Sequence, residues 1–463
     1  MAGGEGHPLR DYVTAASVPG WFWDRTRSVC FTDLRGGTVL GQGLAALAGH
    51  CVLLAVASQL NAALALIELD GVARRVVIVP PGIDVADLAA IVAAAQIDAA
   101  IVDDDAPPLP ALGLPIQVLC EPSIIPAKDN AANPILTEWV LVTSGTTGIP
   151  KMVVHSLASL TAPLHAPSPA DGAVVWGTFY DIRRYGGLQI YLRALFGGAS
   201  LVLSSAEENV ADHLARLAQH EVTHLSGTPS HWRRALMNPA IGKIAPRYVR
   251  LSGEIADQTI LDGLRATFPQ AVIGHAYAST EAGVAFDVND GRAGFPTTYL
   301  SGMRDSVEIK IVDGSLRIRS RSTASKYLGA VKPLADAEGF VDTGDIVEQH
   351  GDRCYFAGRT GGIINIGGLK VHPEEVEAVI NRHPRVRMSL VRGKQSPITG
   401  SVVVADVVLS SGQRLEATRQ IEIKNDILKF CRDALPRHKV PASISFVRGL
   451  DVGVTGKLVR RQG

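Results

Sequence analysis

Short β-branched runs that alternate with helical segments constrain the fold of this chain more than any other feature. Arg75-Val-Val-Ile-Val79 and Ala99-Ala-Ile-Val102 have the composition of strands buried on both faces. Residues 87–96 between them have helical composition. That order predicts βαβ units and a parallel sheet. The rhythm recurs, with strands expected at 199–203 and 248–251 and helices at 212–219 and 257–268. Asp103-Asp-Asp105, followed by Pro107 and Pro108, reads as a turn.

A length of 463 residues predicts two or three domains. The 45 basic and 45 acidic side chains argue against a basic nucleic-acid binder and against an acidic tail. The balance is uneven along the chain. Residues 361–463 hold 17 Lys+Arg against 9 Asp+Glu, a net of +8, so the rest carries −8. Gly358-Arg-Thr-Gly-Gly362 lies at the junction and reads as a hinge. Beyond it, a helix is expected at 373–380, opening with Pro373, Glu374 and Glu375. The division expected is a large N-terminal lobe, 1–359, and a small mobile domain, 362–463.

Cys30, Cys51, Cys120, Cys354 and Cys431 are scattered, with no CxxC pair. Neither a disulfide framework nor a zinc site is signalled, and reduced core thiols of a cytoplasmic protein are expected. The start, MAGGEGHPLRDY, shows no basic segment leading into an apolar run, so no signal peptide is expected. The most apolar window, 44–67, contains His50, Gln59 and Asn61, which hydrocarbon would penalise. It reads as one buried helix of a globular fold, not a membrane span.

Chemistry concentrates in Val140-Leu-Val-Thr143-Ser-Gly-Thr-Thr-Gly148-Ile-Pro-Lys151. An apolar strand runs into hydroxyls (Thr143, Ser144, Thr146, Thr147), two glycines (Gly145, Gly148) and the cation Lys151. Glycine allows close backbone approach, and hydroxyls, N–H groups and a lysine together suit a polyphosphate. The spacing is not that of a Walker loop. By itself the stretch reads equally well as a polar turn between strands.

Four further stretches follow in order: Tyr277-Ala-Ser-Thr-Glu281; Asp342-Thr-Gly-Asp345 with Tyr355-Phe-Ala-Gly-Arg359; Ile363 to Glu377; and Val454-Thr-Gly-Lys457. The five together resemble the adenylate-forming enzymes, a superfamily of acyl-CoA synthetases, nonribosomal-peptide adenylation domains and luciferases. The resemblance spans about residue 135 to the end. It implies an α/β fold: a large N-terminal lobe of stacked α/β subdomains with parallel-rich sheets, plus a small α+β C-terminal domain on a hinge. It also implies a ligase that uses ATP, Mg²⁺ and CoA to convert a carboxylic acid into acyl-adenylate and then a thioester.

The resemblance further assigns roles. Thr143 to Lys151 would wrap the β- and γ-phosphates, Thr280 would bond the α-phosphate, and Glu281 would help hold Mg²⁺. Asp345, with Arg359 beside it, would take the ribose hydroxyls. Ser252-Gly253-Glu254 and Ala276, Tyr277, Ala278 and Ser279 would surround the adenine and nucleotide. Lys457 would bridge the substrate carboxylate and the α-phosphate. Gly361 would be the hinge, Gly367 and Gly368 would line the thiol path, and Lys370 would meet CoA phosphates. The remaining basic residues of the small domain read equally as a solvated face.

The acid pocket is expected around Tyr180, Arg183, Arg184, Tyr185, Gly186, Thr228, His231 and His275. Relatives commonly have an aromatic-His-x-x-Gly segment where Phe179-Tyr-Asp-Ile-Arg183-Arg184 stands. Either arginine could attract a second substrate carboxylate or serve a structural ion pair with Asp181. His231 reads as packing or catalytic. The terminal motif has Asp451 and Gly453 where Pro and Thr are usual. The alternatives are transfer to a carrier-protein phosphopantetheine or an amine, or a non-catalytic nucleotide-binding protein. No nucleic-acid partner is expected; an oligomer is possible.

Overall fold

Cys51–Ala55, Arg75–Ile78, Ala99–Val102, Ile116–Leu119 and Glu138–Thr143 pair in parallel, as the β-branched runs predict. Lys151–His155 and Lys326–Leu328 extend that sheet antiparallel to seven strands. This computed structural model describes every residue except 1–6, 16–19, 105, 107–111, 128–133, 144–149, 165–171, 305, 330–332, 367–368, 397–399, 411–415, 454–455 and 460–463.

A second, eight-stranded sheet has a parallel centre: Val272–Ser279, Tyr248–Ser252, His224–Gly227, Val175–Thr178, Ser200–Val202 and Trp21–Trp23. The helices Val210–Gln219 and Gln258–Thr267 cover it, each started by an Asn209 or Asp257 side chain that accepts a helix N–H. A third sheet, antiparallel, carries Val341–His350 beside Arg353–Arg359. The fold is thus mixed α/β with parallel-rich sheets.

The C-terminal part has its own apolar cluster, in which Val376, Ile380, Val391, Val407 and Ile427 are fully or nearly fully buried. It packs the helices Pro373–Asn381 and Ala417–Ala434 against a three-stranded sheet.

The window 44–67 differs from the single helix expected. It holds a four-residue helix, Gly43–Ala46, then the strand Cys51–Ala55, then the helix Gln59–Leu69. The break falls where Gly49 turns at φ +74°. Ser58 then restarts the chain as a helix cap, accepting from the Asn61 N–H. The polar residues are buried because they are paired: Gln59 donates to Ser204 O at 2.7 Å and Asn61 to Asp103 Oδ2 at 2.9 Å. All five cysteines are free and buried. Among the described residues, no helix is long and apolar enough to cross a membrane.

Candidate active site

The C-terminal ends of the second sheet's parallel strands meet the third sheet and the last loop of the chain. Ser252 ends one strand, and its neighbour Val272–Ser279 runs on to Thr280 and Glu281. A register shift between Tyr277 and Ala278 re-aims that strand just before the turn.

Asp345 and Arg359 are register partners on adjacent strands. Arg359 Nε donates to Asp345 Oδ1 at 2.7 Å, and the Tyr277 hydroxyl donates to Oδ2. Burial, then the Asp345 charge, raise the Tyr277 phenol well above its usual range. Its ring packs on Phe356 at 5.1 Å and Phe286 at 5.7 Å. Three residues from two of the ordered stretches therefore form one polar corner.

Glu281 Oε1 accepts from the Tyr327 hydroxyl at 3.2 Å, and Lys151 Nζ lies 5.4 Å from the Tyr327 ring centre. Thr143 is the register partner of Lys151 across the loop. Ser144, Gly145, Thr146, Thr147 and Gly148 lie outside the described residues, as do Gly367 and Gly368. His155, on the strand that begins at Lys151, donates from Nε2 to the Thr280 carbonyl at 2.7 Å. Burial lowers its pKa to about 4, so it is neutral at pH 7. Ser279 Oγ accepts from the Ala282 N–H and supports the same turn. No cluster of three metal-ligating side chains occurs among the described residues. A single part-exposed carboxylate suits a magnesium ion that arrives with phosphates rather than a dedicated protein cage.

The last loop closes the site. Lys457 Cε lies 3.4 Å from where a Cβ on Gly253 would stand. Thr228 Oγ1 donates to the Gly456 carbonyl at 2.5 Å, and the Leu458 N–H donates to Glu254 Oε1 at 3.1 Å. Gly456 has φ +73°, and a Cβ there would stand 2.0 Å from His231 Cε1. Only glycine meets both conditions. Solvent reaches Lys457, yet protein surrounds it closely enough to disfavour its charge. Burial lowers its pKa most, Arg359 and Arg184 add to that, and Glu254 and Asp345 oppose it.

Several expected residues take other parts. Glu254, expected at the nucleotide, accepts from Ser230 N and Ser230 Oγ as well as from Leu458. It clamps the lysine loop to the start of the helix Pro229–Leu236. His231 accepts from the Thr228 N–H through Nδ1 and stacks on Phe179, and burial lowers its pKa to about 3. It packs and caps here, as a neutral imidazole at neutral pH. His275 is not brought to the acid pocket; its Nε2 donates to the Arg292 carbonyl. Arg183 is not brought there either. Asp181 holds it through Nε at 2.9 Å and Nη2 at 2.6 Å, and its Nη1 donates to Val56 O and Ala57 O. The Tyr180 hydroxyl donates to Ser252 O, and the ring lies against Gly186. Gly361 sits exposed in the short turn Thr360–Gly362, and Lys370 is exposed.

Residues 57–328, more than half the chain, match the AMP-binding enzyme family, and residues 375–457 match the AMP-binding enzyme C-terminal domain. The chain belongs to the AMP-binding enzyme family. This AMP-binding enzyme is 25% identical over 349 residues to 4-coumarate–CoA ligase 3 of Arabidopsis thaliana, covering 69% of this chain and 61% of the relative. It thus spans about three-fifths of that curated relative's length. Its fold matches that of an anthranilate CoA ligase in complex with anthranoyl-AMP, at TM-score 0.81, 20% identity and coverage of 98% and 96%. An amide bond synthetase from Marinactinospora thermotolerans shares the fold at TM-score 0.76, 20% identity and 97% coverage of each chain.

Sequence reasoning missed Tyr327, His155 and the clamp made by Thr228, Ser230 and Glu254. Only Tyr327 left a signal: a short apolar-polar run, Lys326–Leu328, of the kind that pairs at a sheet edge.

Proposed function

We propose that this AMP-binding enzyme activates a carboxylic acid with ATP, releasing pyrophosphate, and then passes the acyl group from the adenylate to CoA. The observation that carries the reading is Lys457, seated on Gly253 in the same site as the Asp345–Arg359–Tyr277 corner. The carboxylate of Asp345 can accept from both ribose hydroxyls. Lys151 and Thr280 then face the phosphates. Glu281 would hold a magnesium ion that neutralises phosphate charge during attack.

Lys457 lies where negative charge grows as a substrate carboxylate oxygen attacks the α-phosphorus. Surrounding protein and two arginines lower its pKa, and an anionic substrate would favour its charged form. After adenylation, residues 362–463 turn about Gly361 as a unit, taking Lys457 away and opening a path for the thiol. A Cβ on Gly361 would meet nothing within 4 Å, so the turn has room. Lys370, which is exposed, would meet CoA phosphates. A cytoplasmic setting suits five reduced thiols.

The test is ATP–pyrophosphate exchange over aryl, short, medium and long-chain acids, followed by AMP release on adding CoA. Exchange with at least one acid and CoA-dependent AMP release support the ligase. Absence of exchange with every acid defeats the adenylation reading, whereas exchange followed by transfer only to an amine or carrier protein replaces CoA as acceptor.

A further inference from the structure

Arg183 and Arg184 are adjacent, yet the fold treats them in opposite ways. Arg183 is saturated by Asp181 and two carbonyls. Among the described residues, the Arg184 guanidinium has no ion pair and no hydrogen bond, and its Nε is enclosed without a partner. Asp181 lies near enough to favour the Arg184 charge, but the side-chain bonds of its oxygens go to Arg183.

Arg184 also stands at an unfavourable place for a cation. It is the N-cap of the helix Tyr185–Phe196, where the helix dipole presents its positive end, and its side chain makes no cap bond. Burial lowers its pKa. A part-buried cation whose donors have no bonded partner is costly, and such a group in a cleft is a candidate to bind an anion.

Its neighbours say where that anion lies. The next residue, Tyr185, packs on His155 at 5.6 Å, and His155 holds the Thr280 carbonyl. Gly186 packs on Tyr180, whose hydroxyl is bonded to Ser252 beside Gly253 and Lys457. Arg184 is near enough to Lys457 to disfavour its charge. The groups expected to meet ATP, namely Lys151, Glu281, Asp345 and Arg359, come from other strands and from the turn after Ser279. Arg184 shares its wall with Tyr180 and Tyr185.

We propose that Arg184 determines substrate specificity by pairing with a second carboxylate, so that the acid activated is a dicarboxylic acid. The near carboxylate meets Lys457 and attacks ATP; the far one meets the guanidinium. This rests on the ligase reading above.

The test uses matched acids: succinate against butyrate, glutarate against pentanoate, adipate against hexanoate and phthalate against benzoate. Pyrophosphate exchange is measured with the wild type, Arg184→Gln and Arg184→Lys, each checked for a native circular dichroism spectrum. The wild type should favour at least one dicarboxylate over its partner by on the order of 10–10²-fold in kcat/KM, the range of a charged hydrogen-bonded contact. Arg184→Gln should erase that preference and leave the ATP KM unchanged, and Arg184→Lys should restore part of it. A wild type that favours the monocarboxylate in every pair overturns the proposal. So does an Arg184→Gln variant whose ATP KM rises alike with every acid, which would assign Arg184 to the nucleotide phosphates. If no acid supports exchange, the ligase reading fails by itself. Calorimetric binding of the same pairs then decides Arg184: dicarboxylate binding lost in Arg184→Gln supports the role, and equal binding overturns it.

Discussion

The corner made by Asp345, Arg359 and Tyr277 and the loop that carries Lys457 are built differently. Asp345, Arg359 and Tyr277 belong to paired strands, and each is fixed by ladder bonds as well as by side chains. The last loop closes on itself through Gly456 N to Gly453 O and Val459 N to Asp451 O. It reaches the large part of the molecule through the Thr228 and Glu254 bonds. On the proposed mechanism the corner persists and is set into sheets, whereas the lysine must come and go and is held by a few exchangeable hydrogen bonds. Each such bond contributes only about 0.5–1.5 kcal/mol net, or roughly 1.5–3 when one partner is charged. That is enough to favour one arrangement and small enough to reverse.

Breaking the loop's seat should give the largest effect. Gly456→Val places a side chain where His231 stands and demands a backbone that L residues avoid. Adenylation should fall on the order of 10²–10³-fold, the scale of losing one charge-stabilising group. ATP binding, measured by calorimetry, should change little because the corner is untouched. If both fall together, the loop and the corner are not separable.

Loosening the seat should cost less. Glu254→Gln turns one acceptor into a donor that faces the Ser230 N–H. Loss of one charged contact, about 1.5–3 kcal/mol, predicts an exchange rate slower by on the order of 10–10²-fold. Thioester formation from supplied acyl-adenylate should be unchanged or faster, since the loop leaves more readily.

An effect on stability alone, with no change of rate at neutral pH, sharpens the fixed side of the comparison. His155 has a pKa of about 4 in the fold against about 6.5 in an unfolded chain. The unfolded state therefore binds its proton first, and stability is lost as pH falls from about 6.5 towards 4. At about 1.4 kcal/mol per unit, the loss approaches 3 kcal/mol. Thermal melts of the wild type should fall more over that range than those of His155→Gln. Parallel curves would remove His155 as the support of Thr280.

Much of this was legible in local sequence. Parallel strands appeared as β-branched runs, and Asp345, Arg359, Glu281 and Lys457 stood in ordered motifs, because a strand end or tight turn places its side chains locally. What was illegible depends on tertiary partners. An apolar run such as 44–67 suits a helix or a strand alike, and a glycine turn decided between them. Arg183 and Arg184 are the same residue twice; only the reach of Asp181 and of the Val56 carbonyl separates them. Glu254 stood in a nucleotide-like motif, but its oxygens went to Ser230 and to Leu458, more than two hundred residues away.

The central claim is that Lys457 serves acid activation alone. The direct measurement is to follow both half-reactions in Lys457→Ala: pyrophosphate exchange with an active acid, and AMP release from supplied acyl-adenylate plus CoA. Exchange should fall at least 10²-fold while the second step proceeds near the wild-type rate. Equal loss of both, or no loss of exchange, would contradict it.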